Sequence, residues 1–167
     1  VIRAATVTPT ATTPTNTSVT YQLATTSGLS FETFTASTLR SFTTTGTALY
    51  LKATLATTDA TVTPALNTVA VSYTLNAVPA TPTNSAPTGS AQNVSLTPAL
   101  TASAFSDSDS DTHNASQWQV TTTSGNYNSP TYNSGTDTTN LVSLTLPQAT
   151  LSNCTTYYWR VRYRDNL

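Results

Sequence analysis

The most regular hydrophobic pattern of the chain runs from Leu151 to Arg164. Tyr157, Trp159 and Val161 alternate there with polar or charged residues. A period of two is typical of a β-strand with one buried face, because successive side chains point to opposite sides of a sheet. We therefore predict a strand whose aromatic face needs a second sheet to cover it. Its opposite face carries Thr156, Tyr158, Arg160, Arg162 and Arg164.

The same period of two recurs in shorter stretches, which clusters of Pro, Gly, Ser and Asn separate. No stretch of useful length has the 3.6-residue period of a helix. The predicted fold class is therefore all-β, with antiparallel β-sandwiches. The clearest of these strands are predicted at Val1 to Val7, Ser18 to Ala24, Gly46 to Leu55, Val69 to Leu75, Ser116 to Thr122 and Leu141 to Leu146.

The length predicts two domains. The chain has 167 residues, more than one small sandwich needs. Ala77 to Ser90 is rich in Pro, Thr and Ser and has no charge, which is typical of a stiff, extended linker. We expect a β-sandwich over residues 1–76, a linker over 77–90 and a second β-sandwich over 91–167.

The second predicted domain carries a spaced motif of Leu151, Thr155 and Tyr157. This spacing resembles the sixth-strand region of fibronectin type III domains, in which a tyrosine hydroxyl bonds back to the upstream backbone. The resemblance implies an Ig-like sandwich with Trp159 and Val161 in its core. The family's seventh and last strand would follow Leu167, so we expect this sandwich to lack it.

The first predicted domain has a second set of motif residues: Gly46 to Leu55, Asp59, Thr63, Pro64, Leu66 and Val69 to Tyr73. In these residues it resembles a jelly-roll-like β-sandwich repeat of prokaryotic surface proteins. This resemblance implies a place at the cell surface or outside the cell.

Charge is scarce in this chain. Charged residues make up 8% of it, against roughly a quarter in ordinary soluble domains, whereas Thr makes up roughly a quarter. The net charge of −1 gives no electrostatic reason to expect nucleic acid or an anionic membrane as a partner. No apolar run is long enough to insert into a membrane.

A surface of Thr, Ser and Asn needs another source of solubility, and glycans are the expected one. Chance produces single N-x-[ST] triplets easily in such a composition, so the Pro-interrupted Thr and Ser stretches favour O-glycosylation more strongly. The four acceptor patterns are at Asn16, Asn93, Asn114 and Asn153.

The inventory of reactive side chains argues against an enzyme. The chain has one His (His113), one Cys (Cys154) and one Glu (Glu32), and Gly is too scarce for a phosphate-binding loop. A Cys–His pair would need a third, orienting group, which the sequence does not supply. We expect no catalytic residue, and we expect Cys154 to be a small apolar residue at the start of a strand.

Calcium is the one cofactor that the sequence offers. Asp107, Asp109 and Asp111 alternate with Ser, and carboxylates so spaced can converge on this cation. The stretch resembles the D-x-D-x-D loops of cadherin-like surface repeats. The alternative is a solvated acidic loop with no ligand.

The predicted function is that of a structural or adhesive repeat in an extracellular filament, stalk or surface array. The alternative is a pair of carbohydrate-binding modules from a secreted enzyme. Glycans would then be the partners, on a platform of exposed tyrosines; otherwise these tyrosines pack on sheet faces. The tyrosines concerned are Tyr50, Tyr127, Tyr132 and Tyr158.

Copies of the same chain are the other expected partners. A sandwich without its last strand leaves a sheet edge that invites pairing. The edge is completed either within a longer tandem array or by a strand from a neighbour, for which Val1 to Val7 is the candidate. Either contact runs head to tail and makes a filament.

Overall fold

The structure is a computed structural model, and it describes residues 1–25 and 30–167. Over these residues the chain is all-β, as the alternating patterns predict, with strands in four antiparallel sheets and no helix. The described part accordingly contains no helix that could cross a membrane. The turn that Ser27 and Gly28 predict lies outside the described residues. Val1–Asn76 and Ala77–Asn166 form two compact units.

The first unit consists of two three-stranded sheets, in the orders β4–β1–β6 and β3–β2–β5. Ala5 and Val7 of β1 and Leu23 of β2 are fully buried in one cluster, so the two sheets share a core. Leu51 of β5 packs against this cluster, whereas Leu55, on the same face of the strand by alternation, is exposed. The strands are β1 (Ile2–Thr12), β2 (Thr17–Ala24), β3 (Glu32–Thr33), β4 (Leu39–Gly46), β5 (Tyr50–Thr57) and β6 (Ala65–Leu75).

The segment Val1 to Val7 is not free to leave the first unit. It lies mostly in β1, the central strand of its sheet, which pairs with β4 on one side and β6 on the other. Ile2, Ala4 and Val7 are buried. Donation of this segment to a neighbour would expose these side chains and break both pairings, so the free donor strand that the sequence suggested is wrong for this fold.

The second unit also has two three-stranded sheets, in the orders β11–β8–β7 and β10–β9–β12. Within the stretch predicted as a linker, β7 pairs with β8, because a composition of Pro and Thr does not prevent a short edge strand. The strands are β7 (Asn84–Ala86), β8 (Ala99–Ala102), β9 (Ala115–Thr121), β10 (Tyr132–Asn133), β11 (Ser143–Thr145) and β12 (Tyr158–Arg164).

The core of the second unit is built around Trp118, whose exposed fraction is 0%. Its indole N–H donates a hydrogen bond to the backbone carbonyl of Asn140 at 2.7 Å. Trp159, which the resemblance to fibronectin type III domains placed in this core, stacks on Trp118 with ring centroids 5.9 Å apart and is partly buried. The buried members of this core are Leu100, Trp118, Val120, Leu144, Leu146 and Val161.

Candidate functional site

The main candidate site is strand β12, which pairs with β9 alone among the described strands. Ser116 of β9 exchanges two backbone hydrogen bonds with Asp137, on the β10 side of the sheet. The backbone N–H and C=O groups of successive residues in a strand point to alternate sides, so those of Gln117 and Gln119 point to β12. Alternation along β12 then directs the backbone groups of its odd-numbered residues to the opposite edge, where none of the described strands pairs. These residues are Trp159, Val161 and Tyr163.

The beginning of this open edge is partly covered by the segment around β7. The side-chain amide of Asn84 donates to the backbone carbonyl of Trp159 at 2.8 Å. The indole N–H of Trp159 donates to the carbonyl of Pro87 at 3.2 Å. The edge along Val161 and Tyr163 has no such cover from the strands described, so this is where another strand could add.

The inward side chains of β12 hold it firmly on the core. The hydroxyl of Tyr163 donates to the carbonyl of Ser103 at 2.6 Å, and burial raises the pKa of Tyr163. Just before β12, the hydroxyl of Tyr157 accepts a hydrogen bond from the backbone N–H of Ser152 at 3.0 Å. This is the contact that the resemblance to fibronectin type III domains implied for Tyr157. The open edge therefore belongs to a well-fixed strand.

The outward face of β12 carries the arginine row, defined as Arg160, Arg162 and Arg164. The Nε–H of Arg160 donates to the side-chain oxygen of Gln119 at 2.9 Å, and its guanidinium lies 4.2 Å from the ring centroid of Tyr127. Burial raises the pKa of Tyr127, while the charge of Arg160 acts in the opposite direction. Arg162 donates to the side-chain oxygen of Gln117. The partners of these two guanidinium groups are thus uncharged.

The structure gathers a different set of carboxylates from the one predicted. Asp107 and Asp111 lie with Asp165, and one carboxylate oxygen of each is within 4.8 Å of the others. Asp109 is not in this group; its carboxylate accepts the backbone N–H of Ala77 at 2.7 Å. Asp165 was not predicted as a member of this group, because it follows β12, far along the chain from the acidic loop.

One oxygen of this carboxylate group lacks a partner. Oδ2 of Asp107 is buried and has no hydrogen-bond partner among the described residues, while its Oδ1 accepts the N–H of Asp109 at 2.7 Å. Asp165 is itself buried, with 6% of its surface exposed. Buried carboxylate oxygens close to one another are ligands of the kind that a hard cation such as calcium takes.

His113 has a packing role. Its ring stacks on Phe105 at 4.6 Å between centroids, and its Nε2 lies 2.9 Å from the hydroxyl of Ser116. Burial lowers the pKa of His113, against a smaller opposing effect of a hydrogen bond with the backbone of Ala115. Cys154 is exposed, with a positive φ of 56°, so the apolar strand residue that we predicted is wrong.

The remaining predicted residues lie at the surface or against the core. Tyr132 packs on the core of the second unit, and Arg160 covers the ring of Tyr127. Tyr50 belongs to the first unit and Tyr158 to the second, each with 39% of its surface exposed. Asn16, Asn93, Asn114 and Asn153, the four predicted acceptors of N-linked glycans, are all exposed.

Comparison of the chain with protein-family models, with curated proteins and with solved structures finds no match. The resemblances to fibronectin type III domains and to prokaryotic surface repeats therefore stay predictions. The candidate site at β12 is therefore defined by the chain's own geometry.

Proposed function

We propose that this chain is a non-catalytic structural or adhesive unit of an extracellular filament, stalk or surface array. Its units join head to tail by adding a strand to the open edge of β12. The observation that carries the proposal is that, over the residues that the structure describes, β12 pairs with one strand, β9. The low charge, the Thr-rich surface and the exposed glycan-acceptor patterns support a place outside the cell.

Strand addition suits this edge for two reasons. The backbone groups of Val161 and Tyr163 offer hydrogen bonds in an extended row, and main-chain bonding of this kind supplies the affinity of added strands. Trp159 and Tyr163 are half-buried on the inner face, so a neighbouring strand would remove more of their apolar surface from water. The added strand belongs to the next unit, within one longer polypeptide or from a separate copy.

The test compares Tyr163→Pro with Tyr163→Ala. Both variants lose the same ring and hydroxyl, but only proline removes the N–H that faces the open edge. We expect the wild-type chain and Tyr163→Ala to form oligomers of increasing size with concentration in sedimentation velocity. Tyr163→Pro should form them at least about tenfold less readily.

Circular dichroism would first establish that both variants keep their strands. A chain that stays monomeric at every concentration would contradict assembly between separate copies through β12. Equal association of the two variants would show that the contact lies elsewhere on the surface.

Carbohydrate binding by a module of a secreted enzyme is the second candidate function. Tyr158 supports it, because its ring is exposed on the outward face of β12. Two of the other tyrosines are engaged with the core or with Arg160, so a platform of several coplanar rings has little support. Binding of a neutral glycan on an array, lost in Tyr158→Ala, would favour this candidate over the first.

We also propose calcium as a structural ligand of Asp107, Asp111 and Asp165. A ligand that binds only the folded state stabilises it, by about 2.7 kcal/mol when its concentration is 100 times Kd. Calcium should therefore raise the melting temperature, and a chelator should reverse this. Asp165→Asn should abolish the increase, whereas the matched variant Asp109→Asn should retain it. A melting temperature that is the same with calcium and with chelator would contradict this site.

A further inference from the structure

The arginine row concentrates half of the chain's basic residues on the outward face of one strand, three of six. Over the described residues, none of the three arginines forms an ion pair with a carboxylate. In a chain with net charge −1, this row is a local concentration of positive charge without a paired carboxylate among the described residues. An anionic partner is the chemistry that it fits.

The row is held in position by uncharged groups. Gln119 accepts one N–H of Arg160, and Gln117 accepts one N–H of Arg162. Each guanidinium has five N–H donors, so several remain for a ligand. Strand geometry spaces alternate residues by roughly 6.6 to 6.8 Å, which makes the row a regular series of carboxylate-binding groups.

The surroundings of the row suit a sugar. Tyr158 lies on the same face two residues before Arg160, and its ring is exposed, as a stacking surface for a sugar ring requires. The side-chain amide of Gln117 donates to the side-chain oxygen of Asn133 at 2.8 Å, which extends a polar layer beside the row. Amide groups of this kind exchange hydrogen bonds with hydroxyl groups.

We propose that the outward face of β12 binds an acidic polysaccharide, with uronate carboxylates on the arginine row and a sugar ring on Tyr158. This inference gives the adhesive unit of the proposed function a ligand class. The surface is distinct from the open edge: a strand adds beside Val161 and Tyr163, whereas the polysaccharide lies across the arginines. An acidic peptide is the competing partner, because it offers the same carboxylates without a sugar ring.

The experiment measures binding of polygalacturonate to the whole chain by isothermal titration calorimetry, with poly-glutamate and neutral dextran as comparison polymers. We expect binding to polygalacturonate that weakens as salt increases, and no binding to dextran. Arg162→Gln should weaken it about tenfold, because a charge-assisted hydrogen-bonding group is lost. The matched variant Lys52→Gln, which removes one exposed positive charge from the first unit, should bind as the wild type does.

Tyr158→Ala separates the two kinds of partner. It should weaken polygalacturonate binding several-fold and leave any poly-glutamate binding unchanged. Equal affinity for the two acidic polymers, with no effect of Tyr158→Ala, would assign the face to acidic peptides and overturn the polysaccharide. Absence of polygalacturonate binding, or equal weakening by Arg162→Gln and Lys52→Gln, would overturn it as well. Sedimentation reports strand addition separately, so failure of one proposal is distinguishable from failure of the other.

Discussion

The two tryptophans show how the environment of a single residue sets its importance. Trp118 is fully buried, and its indole N–H has a backbone partner in Asn140. Trp159 lies against it but is half-buried, at the covered end of the β12 edge. The stability lost when a core side chain is truncated to Ala increases with the apolar surface removed and with the volume of the cavity left behind. Trp118 is therefore the centre of this core.

We expect Trp118→Ala to destabilise the second unit by about 3 to 5 kcal/mol. Trp159→Ala should cost clearly less, because part of its ring is already in water. Urea unfolding followed by far-UV circular dichroism measures both without relying on tryptophan fluorescence. Equal losses for the two variants would mean that Trp159 is covered in solution by another strand.

His113 makes stability depend on pH near neutrality. Burial lowers its pKa in the folded state below the ordinary value of 6.5, so the unfolded chain binds more protons in this range. The contribution of neutral His113 to the free energy of unfolding is fully present above the ordinary pKa, and it is lost as the pH falls towards the folded-state pKa. The melting temperature should therefore fall as the pH is lowered from about 7.5 through the ordinary pKa of 6.5. His113→Gln should remove most of this slope; an unchanged slope would assign it to other groups.

At the scale of elements, the loop from Asp137 to Leu141 fastens β9 to the rest of the second unit. Asp137 pairs with Ser116 through the backbone, and its Oδ1 accepts the N–H groups of Thr139 and Asn140, each at 2.8 Å. The backbone carbonyl of Asn140 accepts a hydrogen bond from the indole N–H of Trp118, and that of Leu141 accepts one from the hydroxyl of Ser116. Burial acts to raise the pKa of Asp137, but the hydrogen bonds from Asn140 and Thr139 outweigh it and the pKa is lowered.

Asp137→Ala should destabilise the second unit by about 1 to 3 kcal/mol, because it removes the acceptor of two backbone N–H groups. Asp137→Asn keeps an oxygen in this place and should lose less. Because the pKa is lowered in the folded state, the carboxylate's contribution is present above the ordinary value of 3.8 and is lost as the pH falls through the folded-state value. Chemical unfolding at neutral pH measures the free energy of unfolding of both variants. Equal decreases for the two would show that the N–H groups of Thr139 and Asn140 find other acceptors.

At the scale of the whole molecule, an all-β chain with 8% charged residues presents a surface of Thr, Ser and Asn. We expect this surface to be glycosylated in the native source, more on Thr and Ser than on all four Asn acceptors. The intact mass should then exceed 17.5 kDa and return to it after chemical deglycosylation. A native mass equal to that of the bare chain would contradict this.

The sequence by itself determined the all-β class and much of the second core. Alternation records which side chains face inward, so it placed Trp118 and Val161 correctly and put the arginines on the outer face. The contact of Tyr157 with the upstream backbone was implied by the resemblance of Leu151, Thr155 and Tyr157 to fibronectin type III domains, and it joins residues close in the sequence. Asp107 and Asp111 were identified as neighbours for the same reason.

Only the tertiary structure decided which strands are neighbours. The alternating pattern of a strand does not show which strands it pairs with, because pairing depends on contacts between distant segments. The central place of β1 in its sheet could therefore not be predicted from the sequence of Val1 to Val7. For the same reason the sequence did not predict that the end of β12 places Asp165 beside the acidic loop. Nor did it predict that β7, within a Pro-rich stretch, pairs with β8. The partial exposure of Trp159 also depends on distant residues: its face was predictable, but its burial depends on how much of it the segment around β7 covers.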